Sequence, residues 1–239
     1  MTPSNHADGA LRVALLEDDL LLRDRVLVPR LKDFGFEVSG LETAAELFEH
    51  LKTQSADIVV LDVGLPDSDG FTVARQLRMQ SPSLGIVMLT GRGETPDRVR
   101  GLSEGADAYL SKPVEIELLA ATLHSLARRL RGKTEQVGVA QQGWRLDSGG
   151  WCLISPTGSS VALTKSERRL CQCLMESAGR IVPRETLIAT LTDNAYDFDP
   201  HRLDSMLHRL RRKVVDSCGE PLPLAAVHGE GYVLTATAQ

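Results

Sequence analysis

The stretch Ile58-Val59-Val60-Leu61-Asp62 places four consecutive apolar residues directly before a carboxylate. A short, β-branched run without alternation is typical of a central parallel strand that is buried on both faces. In open α/β sheets, ligands bind beyond the carboxyl ends of the strands, so Asp62 is expected to face a crevice. The turn-rich residues 63–70 would leave this carboxylate at a loop edge. From this stretch alone, an Asp62 that merely ends a strand and caps the following helix is an equally good interpretation.

Strand and helix patterns alternate along the first half of the chain. Apolar runs predict strands at residues 11–16, 36–38, 58–62, 85–90 and 108–113. Apolar residues at helical spacing predict helices at residues 20–34, 43–53, 71–80, 96–104 and 115–131. Pro29 is expected to kink the first helix or end it early, and Thr43 to cap the second. Five alternations predict an α/β, doubly wound, five-stranded parallel sheet with right-handed crossovers.

The predicted strand ends carry side chains that can converge at one edge of this sheet. These are Glu17, Asp18 and Asp19 after the first strand, Asp62 on the third, Thr90 on the fourth and Lys112 on the fifth. Because clustered carboxylates repel one another, they favour a hard divalent cation with oxygen ligands, such as Mg2+. A hydroxyl and an ammonium beside the cation could bind the oxygens of a phosphoryl group on Asp62.

The first half resembles the receiver domain of two-component response regulators, which has a flavodoxin-like fold. The resemblance rests on Leu15-Leu16-Glu17-Asp18-Asp19, Leu61-Asp62-x-x-Leu65-Pro66-x-x-Asp69-Gly70, Met88-Leu89-Thr90-Gly91-Arg92-Gly93 and Gly105-Ala106-Asp107-Ala108-Tyr109-Leu110-x-Lys112-Pro113. It implies that Asp62 is the phosphoacceptor and that Mg2+ is held by Glu17, Asp18, Asp62 and the backbone carbonyl of Gly64. It also implies that Thr90 and Lys112 contact the phosphoryl group, that Tyr109 is an aromatic switch, and that the Lys112-Pro113 bond is cis.

Length and charge suit two domains of different character. The chain has 239 residues, and its formal net charge of -5 divides unevenly. Residues 1–131 hold 15 basic and 20 acidic residues, whereas the remainder holds 12 of each, so the acidity belongs to the first half. No uninterrupted apolar segment approaches the roughly 20 residues of a membrane helix. Residues 1–10 do not look like a signal peptide, so we expect a cytoplasmic protein without a membrane partner.

A polar, glycine-containing segment at residues 132–142 predicts a flexible linker between a receiver at residues 10–131 and a second domain at residues 143–239. The second domain opens with three short apolar runs separated by turn formers, which predict an antiparallel meander. A capping box at Thr164-x-x-Glu167 then opens a helix, and a second helix follows Pro183. Four cysteines without zinc-type spacing are expected to be small, buried or half-buried thiols.

A third helix, predicted at residues 201–215, concentrates positive charge. Against the single Asp204 it carries Arg202, Arg209, Arg211, Arg212 and Lys213. Its expected inward stripe is Leu203, Met206, Leu207 and Leu210. Such an excess is expected of an element that faces phosphates, although a solvated basic helix face is a common alternative. Glycines at positions 229 and 231 predict a closing β-hairpin.

The second half resembles the winged helix-turn-helix DNA-binding domain of the OmpR/PhoB family of transcriptional regulators. The resemblance rests on Leu163-Thr164-x-x-Glu167, Leu203-Asp204-x-x-Leu207-x-Arg209-Leu210-Arg211-Arg212-Lys213 and Gly229-x-Gly231-Tyr232. It implies that residues 201–211 enter the major groove, with Arg209 on a base and Arg202 and Arg211 on phosphates. It also implies that Tyr232 contacts the DNA backbone near the wing and that residues 193–200 face RNA polymerase.

Three positions on the expected DNA surface depart from the family. Ser205 and Met206 stand where valine and histidine are usual, so we expect a different site preference. His228 replaces the arginine that usually tips the wing, and a neutral imidazole is a weaker anchor in the minor groove.

The resemblance implies a homodimer formed through the fourth helix, the fifth strand and the fifth helix of the receiver. Of the usual cross-subunit ion pairs, one keeps Arg98 but has Leu118 in place of its glutamate, and another lacks both charges. Asp107 with Arg129 is intact. Exposed ion pairs contribute about 0 to 1 kcal/mol each, so their loss need not abolish the dimer. Leu118 indicates a more apolar or a different interface.

Together these features predict a regulator of transcription that receives a phosphoryl group on Asp62 from a histidine kinase and then binds promoter DNA. It would not be an enzyme beyond its own phosphorylation and dephosphorylation. Two other functions are open: a regulator of the same fold that works without phosphorylation, and a signalling adaptor that binds a protein and no DNA.

Overall fold

The computed structural model describes residues 10–91, 105–130, 143–192 and 198–235. The chain divides into two compact units, residues 1–134 and residues 135–239. The helix predicted at residues 96–104, with Arg98, lies outside the described residues. The same is true of the predicted linker at residues 132–142 and of residues 193–197 in the predicted polymerase loop. Within the described ranges, no helix has both the length and the apolar character needed to cross a membrane.

A five-stranded parallel sheet forms the centre of the first unit, in the order β2-β1-β3-β4-β5. Its strands are β1 (Arg12–Leu16), β2 (Glu37–Leu41), β3 (Ile58–Asp62), β4 (Gly85–Thr90) and β5 (Ala108–Ser111). All five residues of β3 and all six of β4 are buried, as the unbroken apolar runs predict. The doubly wound α/β sheet is therefore confirmed, with β3 at its centre.

The helices that the structure describes in the first unit flank this sheet. They are a π-helical segment (Leu22–Leu27) that continues directly into α1 (Val28–Asp33), then α2 (Ala44–Thr53), α3 (Gly70–Gln80) and α4 (Ile116–Leu130). The predicted Thr43 cap is confirmed, since its side chain accepts a hydrogen bond from the Glu46 backbone N–H.

An early end of the first helix at Pro29 is not observed. The helix runs on to Asp33, and Pro29 is the second residue of α1, directly after the wider π-helical turn. The wider π-helical turn lies directly before it, and the Val28 N–H donates to the carbonyl of Arg23 five residues back.

In the described residues of the second unit, two small antiparallel sheets and three helices are present. Their bounds are β6 (Arg145–Leu146), β7 (Cys152–Ile154), β8 (Ser160–Ala162), α5 (Lys165–Glu176), β9 (Ile181–Pro183), α6 (Arg184–Ala189), α7 (Pro200–Cys218), β10 (Leu224–Val227) and β11 (Gly231–Leu234). The meander β6-β7-β8, the Thr164 capping box and the hairpin β10-β11 agree with the sequence. Strand β9 is an addition that pairs with β11.

The pairing of β9 with β11 explains the glycine at position 231. A Cβ on Gly231 would lie 2.0 Å from the carbonyl oxygen of Val182, so no larger residue fits without moving the strands. The sequence does not reveal β9, because a three-residue strand has no periodicity and its partner residues lie 48 to 52 positions later along the chain.

The core of the second unit is built around the buried stripe of α7. Leu203, Leu207, Leu210 and Val214 are fully buried at helical spacing. Met206, predicted to belong to this stripe, is half-buried at its edge. Cys152 and Cys171 are buried, whereas Cys173 and Cys218 are half-buried, and all four are free thiols. Burial raises the pKa of Cys171 to about 12, which keeps that thiol protonated.

Candidate functional site

The end of β3 brings Asp62 next to Lys112. The Lys112 Nζ lies 2.7 Å from Asp62 Oδ2 and 2.7 Å from Glu17 Oε2, so one ammonium bridges the ends of β1 and β3. Asp62 and Glu17 are both buried, which makes a counter-charge necessary. The three residues, which are 95 positions apart at their extremes, are brought together by the sheet order.

Three carboxylates at this edge fit a divalent cation. Glu17, Asp18 and Asp62 can each offer one oxygen, with all three oxygens within 4.8 Å of one another. Burial raises the pKa of Glu17, although Lys112 opposes this effect. Burial alone would lower the pKa of Lys112, but its bonds to Asp62 and Glu17 raise it overall. This oxygen donor set, with one exposed member at Asp18, is the type that Mg2+ prefers.

The third acid of the Glu17-Asp18-Asp19 run has a structural role. Asp19 Oδ1 accepts hydrogen bonds from the backbone N–H groups of Leu21 at 2.9 Å and Leu22 at 3.0 Å. Asp19 therefore starts the first helix and is not one of the three clustered acids.

The loop after Asp62 is shaped by close backbone approaches. The Gly64 N–H donates to Asp62 Oδ1 at 3.2 Å, and Gly64 forms an isolated β-bridge with Asp69. A Cβ on Gly70 would lie 2.5 Å from the Asp62 carbonyl oxygen, so the loop folds back tightly over the strand end. Asp69, rather than Asp62, caps the following helix by accepting from the Phe71 N–H at 3.2 Å. The capping alternative for Asp62 is thus ruled out.

Strands β4 and β5 complete this edge. Thr90, the last residue of β4, is buried, and its carbonyl accepts a 2.6 Å hydrogen bond from the Lys112 N–H. The Lys112-Pro113 peptide bond is cis. Among the described residues, Gly91 leaves open space, since a Cβ there would meet none of their atoms within 4 Å. Tyr109 is half-buried and packs against the core cluster on one face of the sheet.

One face of α7 carries the side chains that were predicted to contact DNA. Arg202, Ser205 and Arg209 are exposed and Met206 is half-buried, at the three- and four-residue spacing that aligns side chains on a helix. The Arg202 guanidinium lies over the Phe198 ring, 5.7 Å from its centroid. His228 is exposed beside Gly229, whose positive φ of 74° makes the hairpin turn.

The remaining basic residues of α7 have partners inside the domain. Lys213 Nζ lies 2.9 Å from Glu167 Oε2, so this half-buried lysine joins α7 to the capping box of α5. Arg211 is half-buried and lies over the Tyr232 ring at 5.9 Å. Arg212 is exposed and lies 3.8 Å from Asp216. Lys213 is therefore engaged inside the domain, whereas Arg212 stays on its exposed surface.

Tyr232 belongs to a polar cluster that sequence reasoning missed. Its side chain is buried, and its hydroxyl donates to Asp204 on α7. Arg184, the first residue of α6, makes an ion pair with Asp204 and lies 5.6 Å from the centroid of the Tyr232 ring. Arg184 gives no signal in the sequence, because a single arginine after a proline has no pattern. The hydroxyl predicted to lie near the DNA backbone is held by Asp204.

The comparisons with known proteins agree with both halves. Residues 13–124 match the response regulator receiver domain, and residues 158–234 match the family of the transcriptional regulatory protein C terminal domain. The transcriptional regulatory protein AruR of Pseudomonas aeruginosa is 34% identical over 239 residues, covering 95% of this chain and 97% of AruR. The transcriptional regulatory protein PhoP of Escherichia coli K12 is 33% identical over 223 residues, covering 93% and 98%.

The chain is a two-component response regulator of the OmpR/PhoB family. It combines a receiver domain with a DNA-binding domain and regulates transcription. Among solved structures, the response regulator DrrB of Thermotoga maritima is 25% identical with a TM-score of 0.45, covering 95% of this chain and 99% of that chain.

The residues predicted for the dimer interface of this response regulator lie in different environments. The Asp107 carboxylate accepts from Arg78 Nη2 at 2.7 Å and from the Ile86 N–H at 2.8 Å. Both hydrogen bonds end on Oδ2 of Asp107. Its predicted partner Arg129 is exposed near the end of α4. Leu118 on α4 is 51% exposed.

Proposed function

We propose that Asp62 accepts a phosphoryl group from a sensor histidine kinase and that this reaction controls DNA binding. The observation that carries the proposal is the Lys112 ammonium, 2.7 Å from both Asp62 and Glu17. A carboxylate oxygen of Asp62 attacks phosphorus, an O–P bond forms, and the N–P bond of the phosphohistidine breaks. The imidazole of the kinase is the leaving group.

Charge compensation at the strand ends supports this chemistry. Glu17, Asp18, Asp62 and the backbone carbonyl of Gly64 would hold Mg2+, which neutralises negative charge on phosphoryl oxygens when bound. Lys112 contributes a fixed positive charge, and its elevated pKa keeps it protonated. Thr90 supplies a hydroxyl at the neighbouring strand end. The same residues allow slow hydrolysis of the acyl phosphate, which is the extent of the catalytic activity.

The proposed response to phosphorylation depends on the side chain of Tyr109 and on a dimer interface. Tyr109 would turn inward when Thr90 moves toward the phosphoryl group, and this rearrangement would favour a homodimer. Arg98, Asp107, Leu118 and Arg129 are the proposed dimer contacts, with Leu118 more important than the ion pairs because of its exposure.

In the second domain, the exposed face of α7 would enter the major groove of promoter DNA. Arg209 is the proposed base contact, Arg202 and Arg211 contact phosphates, and Ser205 and Met206 set the site preference. His228 would tip the wing, and Tyr232, held by Asp204, would orient it. Residues 193–200 would contact RNA polymerase. The protein would bind promoter DNA in the cytoplasm.

An assay that measures DNA binding before and after phosphorylation tests the proposal. The full chain is incubated with acetyl phosphate and Mg2+, phosphoprotein is separated by phosphate-affinity electrophoresis, and selected promoter fragments are titrated with each form. The expected result is phosphorylation that is lost in Asp62→Ala, together with tighter DNA binding of the phosphorylated form. If Asp62→Ala binds DNA as tightly as the phosphorylated wild type, the regulator works independently of phosphorylation. Absence of salt-dependent DNA binding would indicate an adaptor.

A further inference from the structure

A buried guanidinium lies behind the acidic cluster. Arg23, in the first turn of the π-helical segment, has a side chain only 7% exposed. Its Nη1 donates a buried 2.8 Å hydrogen bond to the carbonyl oxygen of Glu17. The N–H of Glu17 in turn donates to the Leu41 carbonyl at 3.1 Å. Both backbone polar groups of Glu17 are therefore held, one by strand β2 and the other by Arg23.

The surroundings of Arg23 are built to keep its guanidinium in this position. Its Nε lies 3.1 Å from Asp24 Oδ1, and its Nη2 lies 3.7 Å from Glu42 Oε2, so the buried charge is compensated. Gly40 on β2 makes room for the side chain, since a Cβ there would approach Arg23 Cγ and Cδ to 3.2 Å. The π-helical segment, strand β2 and the loop after it all contribute to the Arg23 site.

We propose that Arg23 is a positioning residue for the Mg2+ site, acting through the backbone of Glu17. By fixing the end of β1, it would fix where the Glu17 and Asp18 carboxylates emerge, without contacting the cation. Partners of metal ligands typically change metal affinity by about 10- to 100-fold when they are removed. This inference rests on the proposed function, since it assumes that the three acids bind Mg2+.

The direction of the effect separates positioning from simple electrostatics. Removing a positive charge near a cation site should strengthen Mg2+ binding if only Coulomb attraction mattered. Positioning predicts the opposite, namely weaker binding in Arg23→Met. Arg23→Lys keeps the charge but loses the planar fork that reaches Glu17 and Asp24 together, so it should also bind Mg2+ more weakly.

Calorimetric titration of the full chain with Mg2+ tests this inference. We expect the dissociation constant to rise about tenfold in Arg23→Met and severalfold in Arg23→Lys. Arg30→Met is the matched control, because Arg30 is exposed and its 3.2 Å ion pair is with Glu117, which is not one of the three clustered acids. The Mg2+ dependence of phosphorylation by acetyl phosphate should shift in parallel, with the rate at saturating Mg2+ largely restored.

The outcomes are distinct. Unchanged or tighter Mg2+ binding by folded Arg23→Met overturns the positioning role. The proposed function still stands in that case, provided that the wild-type chain binds Mg2+. A wild-type chain that binds no Mg2+ overturns both. If circular dichroism shows that Arg23→Met is unfolded, Arg23→Lys alone tests the inference, because it keeps the positive charge and loses the planar fork that reaches Glu17. Unchanged Mg2+ binding by that variant would overturn the inference.

Discussion

The hydroxyl of Tyr232 donates a hydrogen bond to the carboxylate of Asp204, and this contact joins strand β11 to helix α7. The Arg184 ion pair with the same carboxylate adds α6 to the junction. Burial, followed by the Asp204 contact, raises the pKa of Tyr232, so its hydroxyl remains protonated and continues to donate. The elements that would contact DNA are therefore held to one another before DNA is present.

Tyr232→Phe should loosen this junction with little change in packing, since the ring remains. We expect a loss of about 0.5–1.5 kcal/mol in the unfolding free energy of the second domain, the usual net value of one hydrogen bond. Chemical denaturation followed by tryptophan fluorescence measures it, because both tryptophans, Trp144 and Trp151, lie in this domain. A change below about 0.3 kcal/mol would show that Asp204 is satisfied equally well by Arg184 and water.

The junction should also respond to acid. Hydrogen bonding from Tyr232 and from Arg184 holds the pKa of Asp204 below its usual value of 3.8. A carboxylate with a depressed folded-state pKa contributes stability above its unfolded pKa and loses that contribution as the pH falls through the folded value. Below about pH 4, wild type should therefore lose stability more steeply than Asp204→Asn. Parallel acid dependences of the two proteins would contradict this expectation.

Lys112→Ala should leave two buried carboxylates facing each other without their shared counter-charge. We expect it to lose about 1–3 kcal/mol of stability without divalent cation, because a partly exposed lysine compensates less than a fully buried one. Added Mg2+ should recover more stability in the variant than in wild type. Thermal unfolding with and without Mg2+ tests this, and an equal Mg2+ effect in both proteins would contradict it.

Arg209→Ala and Lys213→Ala should differ although both remove one positive charge from α7. Arg209 is exposed on the proposed DNA face, so its loss should cost about 1–3 kcal/mol of DNA affinity. Lys213 is paired with Glu167, so its loss should mainly lower stability. Fluorescence anisotropy with a selected promoter fragment measures the first effect, and thermal unfolding the second. Equal losses of affinity would mean that charge on α7 acts without regard to position.

Local sequence patterns determined much of this protein. Buried parallel strands require unbroken apolar runs, so β3 and β4 could be predicted residue by residue. Caps such as Thr43 and the Thr164-Glu167 box depend on partners three residues away and were predictable for the same reason. The set of acids, hydroxyl and lysine at the strand ends follows from the order of strands along the chain.

Only the tertiary structure decided which charges are free and which are engaged. Arg23 behind Glu17, Arg78 on Asp107, Lys213 on Glu167 and Arg184 on Asp204 all depend on contacts between separate elements. A charged side chain has the same composition whether it is solvated or paired, and it has no periodicity that reveals its partner. Asp62 was therefore visible in the sequence as the end of a strand, whereas its 2.7 Å contact with Lys112 became visible only when the sheet brought β3 and β5 to the same edge.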